Sequence, residues 1–446
     1  LKFRELVDRI SPDDEASLVY TSGTSGIPKG VILTHRNFVS NVRTCVSIFD
    51  ISDRDTVLSF LPLSHVLERM VMFAYLYAGA TIGFAENLET VAQNLLEIKP
   101  QIMVSVPRVF EKIYAGVMDT ILGSSGLTRK IFFWAQKTGK RYASYELARK
   151  PLPTGLKLKR QLAHHLVFGK IIEKTGGGVR FFISGGAPLA KDIAEFFYAI
   201  GLTIYEGYGL TETSPVLTVN CSGSLKLGTV GKPIPGVEIK IAADGEILAR
   251  GPNVMKGYYK REQETQEALA GGWFHTGDIG YLDEDGFLVI TDRKKDLIVT
   301  SGGKNVAPQV IENLLSTCPY VNTVVVIGDR RRFISALVVP DFDQLEGLAR
   351  SREIQFTSRQ ELVNNPEIVS SVMAEIRRAT ANLASYEKIK KIVLLDHDFE
   401  IEKEEITPTL KVKRTEVESR YHELIESLYR EEPSGSCSDS SPGGSK

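Results

Sequence analysis

Short apolar runs alternating with amphipathic stretches dominate the first half of the chain. Residues 18–20, 57–61, 102–106 and Phe181–Ser184 are apolar, are bounded by turn residues, and each precede a stretch with helical spacing. That rhythm predicts sheet strands with helices between them, an α/β organisation. Further on the pattern changes. Residues 237–241, 246–250 and 287–290 alternate or pair around Asp244-Gly245 and Asp285-Gly286, which are hairpin signals and predict a β-rich unit. After Asp296 the expected elements are a helix over 308–316, strands over 321–327 and 336–339, a helix around 368–383 and a strand over 389–394, together a small α+β unit. Residues 431–446 hold Pro, Ser and Gly without an apolar cluster and are expected to be disordered.

Composition narrows this picture. A chain of 446 residues is too long for one hydrophobic core. At 43% hydrophobic and 24% charged it has the balance of a soluble globular protein. No apolar run approaches the roughly 20 residues of a membrane span, and Leu1-Lys2-Phe3-Arg4-Glu5 lacks the apolar core of a signal peptide. The expected location is cytoplasmic or peripheral to a membrane. Cys45, Cys221, Cys318 and Cys437 are too scattered for a zinc site or a disulfide framework, which fits a reducing compartment.

The net charge of -1 conceals an asymmetry. Between Thr128 and Lys174 stand twelve Lys and Arg against two acids, interleaved with Phe132, Phe133, Trp134, Leu162, Leu166 and Phe168. Such a basic amphipathic surface suits anionic lipid or phosphates, while a solvated helix face explains the charge as well. Nucleic acid is disfavoured, because the rest of the chain is acidic and carries no nucleic-acid motif.

Candidate chemistry begins at Thr21-Ser22-Gly23-Thr24-Ser25-Gly26-Ile27-Pro28-Lys29-Gly30, directly after an apolar strand. A loop without bulky side chains lets backbone N–H groups approach phosphate oxygens, and hydroxyls with one cation complete the cradle. It is not the G-x-x-x-x-G-K-[ST] loop of kinases and GTPases. Counted from Gly23, Pro28 stands where the second glycine belongs and Gly30 where the metal-binding hydroxyl belongs. Three further clusters follow. Ser184-Gly185-Gly186-Ala187-Pro188 offers bare backbone for a flat ring, although a plain strand-to-helix turn needs the same glycines. Tyr208-Gly209-Leu210-Thr211-Glu212 sets a carboxylate beside a hydroxyl, a pair suited to Mg²⁺ and phosphate. Asp278, after His275-Thr276-Gly277, could accept two hydroxyls at once.

These motifs, in this order, resemble the adenylate-forming superfamily, which includes acyl-CoA synthetases, firefly luciferase and the adenylation domains of peptide synthetases. The resemblance runs from about Asp13 to Tyr429. It implies a large N-terminal α/β domain over 1–294 with a β-rich subdomain, and a small mobile α+β domain over 295–430. Ser59-Phe60-Leu61-Pro62-Leu63-Ser64-His65 and Val104-Ser105-Val106-Pro107-Arg108 look like the long-chain acyl-CoA synthetase branch.

Roles follow from the resemblance. Thr21, Ser22, Gly23, Thr24, Ser25, Gly26 and Lys29 would hold the ATP phosphates. Gly185, Gly186, Ala187, Pro188 and Tyr208 would hold adenine, and Asp278 with Arg293 the ribose. Thr211 would meet the α-phosphate and Glu212 would bind Mg²⁺. Lys295 falls at the hinge, and Gly302, Gly303 and Lys304 on the coenzyme A side. Lys411, in Thr407-Pro408-Thr409-Leu410-Lys411-Val412-Lys413, matches the mobile catalytic lysine, with Lys413 the alternative register. His65 matches a residue lining the acyl and thiol passage, yet a lone histidine is as often structural.

The implied activity is activation of a long-chain fatty acid by ATP to acyl-AMP, then transfer to coenzyme A. Transfer to acyl carrier protein and a non-catalytic nucleotide- or lipid-binding relative are the alternatives. Only twenty residues precede Thr21, so the resemblance also implies a missing N-terminal section.

Overall fold

The computed structural model describes residues 2–21, 28–87, 89–407 and 411–430. Its largest sheet has seven strands in the order Thr81–Phe84, Thr56–Ser59, Ile102–Ser105, Phe181–Ser184, Ile204–Gly209, Val216–Val219 and Lys232–Pro233. The first five run parallel, and the last two are each joined to the preceding strand by antiparallel pairing. A parallel sheet must be covered on both faces, and strand alternation sorts the side chains accordingly. Val57, Ile102, Val104 and Phe181 pack with the helices His35–Phe49 and Val66–Ala78. Leu58, Met103 and Phe182 pack against Phe110, Phe132, Ile193 and Phe197 of the helices Pro107–Leu122, Gly126–Leu147 and Lys191–Ile200.

One expected strand of the α/β body lies elsewhere. Residues 18–20 do form a strand, Glu15–Thr21, but it pairs antiparallel with Lys29–Thr34 in a separate three-stranded sheet completed by Gly257–Tyr258. The intervening segment is too short for the crossover that a parallel partner requires. The hairpin signals hold: Glu238–Ile241, Glu246–Arg250, Phe274–Leu282 and Leu288–Arg293 form one antiparallel sheet.

The C-terminal region has its own sheet, in which Ile334–Pro340 pairs antiparallel with Val321–Ile327 and parallel with Ile389–Leu394. Val324 and Val326 face the helices Pro308–Leu315, Phe342–Ser351 and Pro366–Ala379, while Val325 and Ile327 face the helices Arg414–Arg420 and His422–Tyr429. Buried Asp292 ties the preceding sheet to this unit. Its carboxylate accepts from the N–H of Arg293 at 2.6 Å and of Gln309, in the first turn of Pro308–Leu315, at 3.1 Å. Burial raises its pKa to about 6.

Candidate functional site

Neighbouring parallel strands end together, so the segments that leave their carboxyl ends form one crevice. Ser59 leads to His65, Ser105 to Val106 and Pro107, Ser184 to Gly185 and Gly186, and Gly209 to Thr211 and Glu212. The Gly185 N–H donates to the Ser105 carbonyl at 3.1 Å, and Gly186 has φ +83°, so two of the sequence clusters are stitched edge to edge.

Thr211–Thr213 forms a single 3₁₀ turn. Thr213 Oγ1 is used internally, accepting from the Leu210 N–H at 2.9 Å. The turn's return path runs close: a Cβ on Gly209 would lie 1.8 Å from the Pro215 carbonyl oxygen. Gly209→Ala must therefore displace backbone, and a loss of roughly 1–3 kcal/mol or more is expected. Urea unfolding of the variant checks this, and an unchanged midpoint would contradict the geometry.

Glu212 is fixed from the three-stranded sheet. The Tyr258 hydroxyl donates to its Oε1 at 2.9 Å, and the Met255 N–H donates to its carbonyl at 2.8 Å. The Tyr258 ring also lies under the Lys29 ammonium, 4.9 Å from its centroid, and Lys29 pairs with Glu264 at 2.6 Å. Thr21 and Lys29 face each other across the base of the loop, the Thr21 hydroxyl donating to the Lys29 carbonyl at 3.4 Å. Ser22, Gly23, Thr24, Ser25 and Gly26 lie outside the described residues.

Asp278 and Arg293 are register partners on neighbouring strands, which puts both side chains on one face. Arg293 Nε stands 3.2 Å from Asp278 Oδ1, and the Tyr208 hydroxyl donates to Oδ2 at 2.6 Å. Burial and the Asp278 charge raise the Tyr208 pKa, which keeps its hydroxyl a donor. The residues assigned to adenine and to ribose thus share a hydrogen bond.

Lys411 reaches the same place from the C-terminal unit. It sits beside an antiparallel bridge between Ile406 and Val412, where the Thr407 N–H donates to the Lys411 carbonyl at 2.8 Å and the Lys411 N–H donates to Thr407 Oγ1 at 3.1 Å. Its ammonium feels Arg293, Asp278, Asp296 and Lys295. Desolvation first, and Arg293 second, push its pKa down to about 8. Lys413 instead faces Glu404 at 3.8 Å. Of the two lysines, the fold brings Lys411 to the crevice.

His65 is drawn into the same field. Burial and the Lys411 charge lower its pKa, so the neutral ring is favoured. Its Nδ1 accepts from the Leu67 N–H at 3.3 Å, capping the helix Val66–Ala78 and leaving Nε2 as the protonated nitrogen. The histidine therefore has a structural role and a place at the site together. Lys295 is exposed and interacts with Arg293, Asp296, Asp278 and Lys29. Gly302, Gly303 and Lys304 form a turn between Ile298–Val299 and Asn305–Val306, with Gly303 at φ +72°. Among the described residues this turn makes no hydrogen bond to Glu212, Asp278 or Lys411.

Sequence reasoning missed Tyr258, Glu264 and Glu206. Tyr258 and Glu264 lie far along the chain from the groups they hold, and no local pattern marks them. Glu206 had a signal, an acid inside an apolar strand, but its use is tertiary. It is buried opposite Ser184, with its carboxyl facing the backbone amides of Leu189 and Gly228. Burial raises its pKa to about 8.

The AMP-binding enzyme family matches residues 3–259, and the AMP-binding enzyme C-terminal domain matches residues 295–433. Long-chain-fatty-acid--CoA ligase FadD15 of Mycobacterium tuberculosis is 41% identical over 422 residues, 94% of this chain and 70% of that protein. The peroxisomal long chain acyl-CoA synthetase 6 of Arabidopsis thaliana is 36% identical over 441 residues, 94% of this chain and 61% of its own. Among solved structures, the ATP-bound RpMatB-BxBclM chimera B1 superposes with a TM-score of 0.66 at 26% identity, over 93% of this chain and 70% of that one. O-succinylbenzoate Coenzyme A Synthetase (MenE) from Bacillus subtilis, in complex with AMP, gives a TM-score of 0.62 at 25% identity, over 91% and 69%.

Proposed function

Because this chain belongs to the AMP-binding enzyme family, we propose that it activates a long-chain fatty acid with ATP to acyl-AMP, releasing pyrophosphate, and then transfers the acyl group to coenzyme A. The convergence of Lys411 with Asp278, Arg293 and His65, from segments more than a hundred residues apart, carries this reading. The fatty acid is the substrate class of the relatives whose sequences cover nearly all of this chain.

A carboxylate and a triphosphate repel each other, so their union needs fixed positive charge where negative charge develops. Lys29 at the loop and Lys411 in the crevice supply it. Asp278 accepts the ribose hydroxyls, with Arg293 and Tyr208 holding its two oxygens in place. The backbone of Gly185 and Gly186 lies against adenine, and Thr211 bonds the α-phosphate. Glu212 fits Mg²⁺: Tyr258 orients one carboxylate oxygen, and a hard cation of this kind takes one or two carboxylates together with substrate phosphates. Bound there, the ion would neutralise phosphate charge.

The carboxylate oxygen attacks the α-phosphorus, the bond to the bridging oxygen breaks, and pyrophosphate leaves with its electrons. The second step needs a thiol in place of the lysine. Rotation of the C-terminal unit about Lys295 would withdraw Lys411 and bring the turn at Gly302, Gly303 and Lys304 to the site. An acyl carrier protein is the alternative thiol acceptor, and product analysis with each thiol distinguishes it from coenzyme A.

ATP–pyrophosphate exchange with acetate, octanoate and palmitate tests the first step. Palmitate is expected to support the fastest exchange, and no exchange with any acid would sink the proposal. The rate should fall as pH rises through about 8, because Lys411 is charged only below its lowered pKa. Lys411→Arg, which stays charged, should flatten that decline.

A further inference from the structure

We infer that the outer face of the helices at Gly126–Leu147 and Thr154–Ala163 docks on a bilayer containing anionic phospholipid. Thr154–Ala163 buries Leu156 and Ala163 against the body. Leu158 and Leu162, with Leu166 in the next turn, follow at intervals of four and run along the opposite side. They remain 68%, 50% and 42% exposed. A helix that packs small or modest residues inward and lines its outer side with leucines leaves an apolar ridge with nothing against it.

Lysines flank the ridge. Lys157, Lys159 and Lys170 are exposed and form no ion pair among the described residues. Arg160 is the exception in its position, turned inward with its guanidinium 4.5 Å from the Phe168 ring centroid and 5.6 Å from that of Tyr142. The neighbouring helix adds exposed Leu127, Phe133 and Trp134 beside Lys130 and Lys137. An apolar ridge between lysines, with exposed aromatics on the neighbouring helix, matches the boundary between acyl chains and phosphate headgroups.

Charge favours lipid as the occupant and fixes the orientation. Residues 128–174 hold twelve Lys and Arg against two acids, so the remainder of this chain of net charge -1 is strongly acidic. An anionic surface would attract this face and repel the rest. A soluble acidic protein would answer the lysines but gives no reason for the leucines. No helix among the described residues is long and apolar enough to cross a membrane, so the ridge makes a surface contact. The inference is independent of the reaction catalysed.

Co-sedimentation of the full chain with vesicles tests it, using phosphatidylcholine alone against equal parts phosphatidylcholine and phosphatidylglycerol. The chain should partition onto the mixed vesicles, weakly onto neutral ones, and less at high salt. Leu158→Ser, Leu162→Ser and Leu166→Ser combined should lower the partition coefficient roughly tenfold or more, since binding scales with buried apolar area. Lys157→Glu with Lys159→Glu should lower it by about fivefold per charge or more. All five positions are exposed, so circular dichroism of both variants should be unchanged. Absence of binding to mixed vesicles, or equal binding by either variant, would overturn the inference. So would binding of a purified acyl carrier protein that both variants lose while vesicle binding stays at background.

Discussion

Lys411→Ala is expected to cut ATP–pyrophosphate exchange by roughly a hundred- to a thousandfold, the usual effect of removing one preorganised charge from a transition state. The residue is suited to that effect because its ammonium is held in a desolvated place, with its pKa lowered to about 8, among Arg293, Asp278, Asp296 and Lys295. A charge in such surroundings acts through a low dielectric and needs no solvent reorganisation as the reaction proceeds. Thioester formation from supplied acyl-AMP and coenzyme A should change only a few fold, because the proposed thiol step begins once the lysine has left. Lys413→Ala serves as the control, since Lys413 faces Glu404 at 3.8 Å. Equal loss of both half-reactions would show that Lys411 supports the fold and not the adenylation step. A larger loss in Lys413→Ala would show that the other register is the functional one.

Asp278→Asn should raise the KM for ATP by roughly a hundredfold, with a smaller effect on the fatty acid, since a charged acceptor to several donors is among the stronger polar interactions. The carboxylate is buried, meets Arg293 at 3.2 Å and accepts from Tyr208 at 2.6 Å. Asparagine keeps the shape but removes the charge and presents an N–H₂ where an acceptor stood. One oxygen position then faces Arg293 or Tyr208 as a donor, and the Arg293 guanidinium loses its counter-charge. Initial-rate kinetics with ATP varied at saturating fatty acid measures the change. Paired with Arg293→Gln, the two substitutions should be markedly less than additive, because each disables the same contact. Full additivity would separate the two residues and contradict a shared ribose site.

Much of this site is legible along the chain because the chemistry is local. The adjacent Thr211 and Glu212, and Gly185 with Gly186, are each set within a few residues, where a single turn presents backbone and side chains together, and the hydroxyls and glycines after Thr21 are likewise one short run of sequence. Strand and helix periodicity also came through, as the parallel runs at Ile102–Ser105 and Phe181–Ser184 illustrate. The strand Glu15–Thr21 was readable as a strand, but its partner was not. An apolar run reports burial and says nothing of which edge it joins.

The supports of the site were hidden for the same reason. Tyr258 reaches Glu212, Glu264 reaches Lys29, and Glu206 lies across a strand pair from Ser184. Each contact is made through sheet order and register, which have no signature in the residues on either side. The amino-acid sequence by itself determined the two kinds of unit, the family's motifs and their order, since these rest on interactions between near neighbours. Tertiary structure alone decided that Lys411 and not Lys413 enters the crevice, that His65 caps a helix while facing that lysine, and that Asp278, Arg293 and Tyr208 form one cluster. Those outcomes depend on how separate sheets and the C-terminal unit come together, and the free energy that selects them comes from burying surfaces distant in the chain.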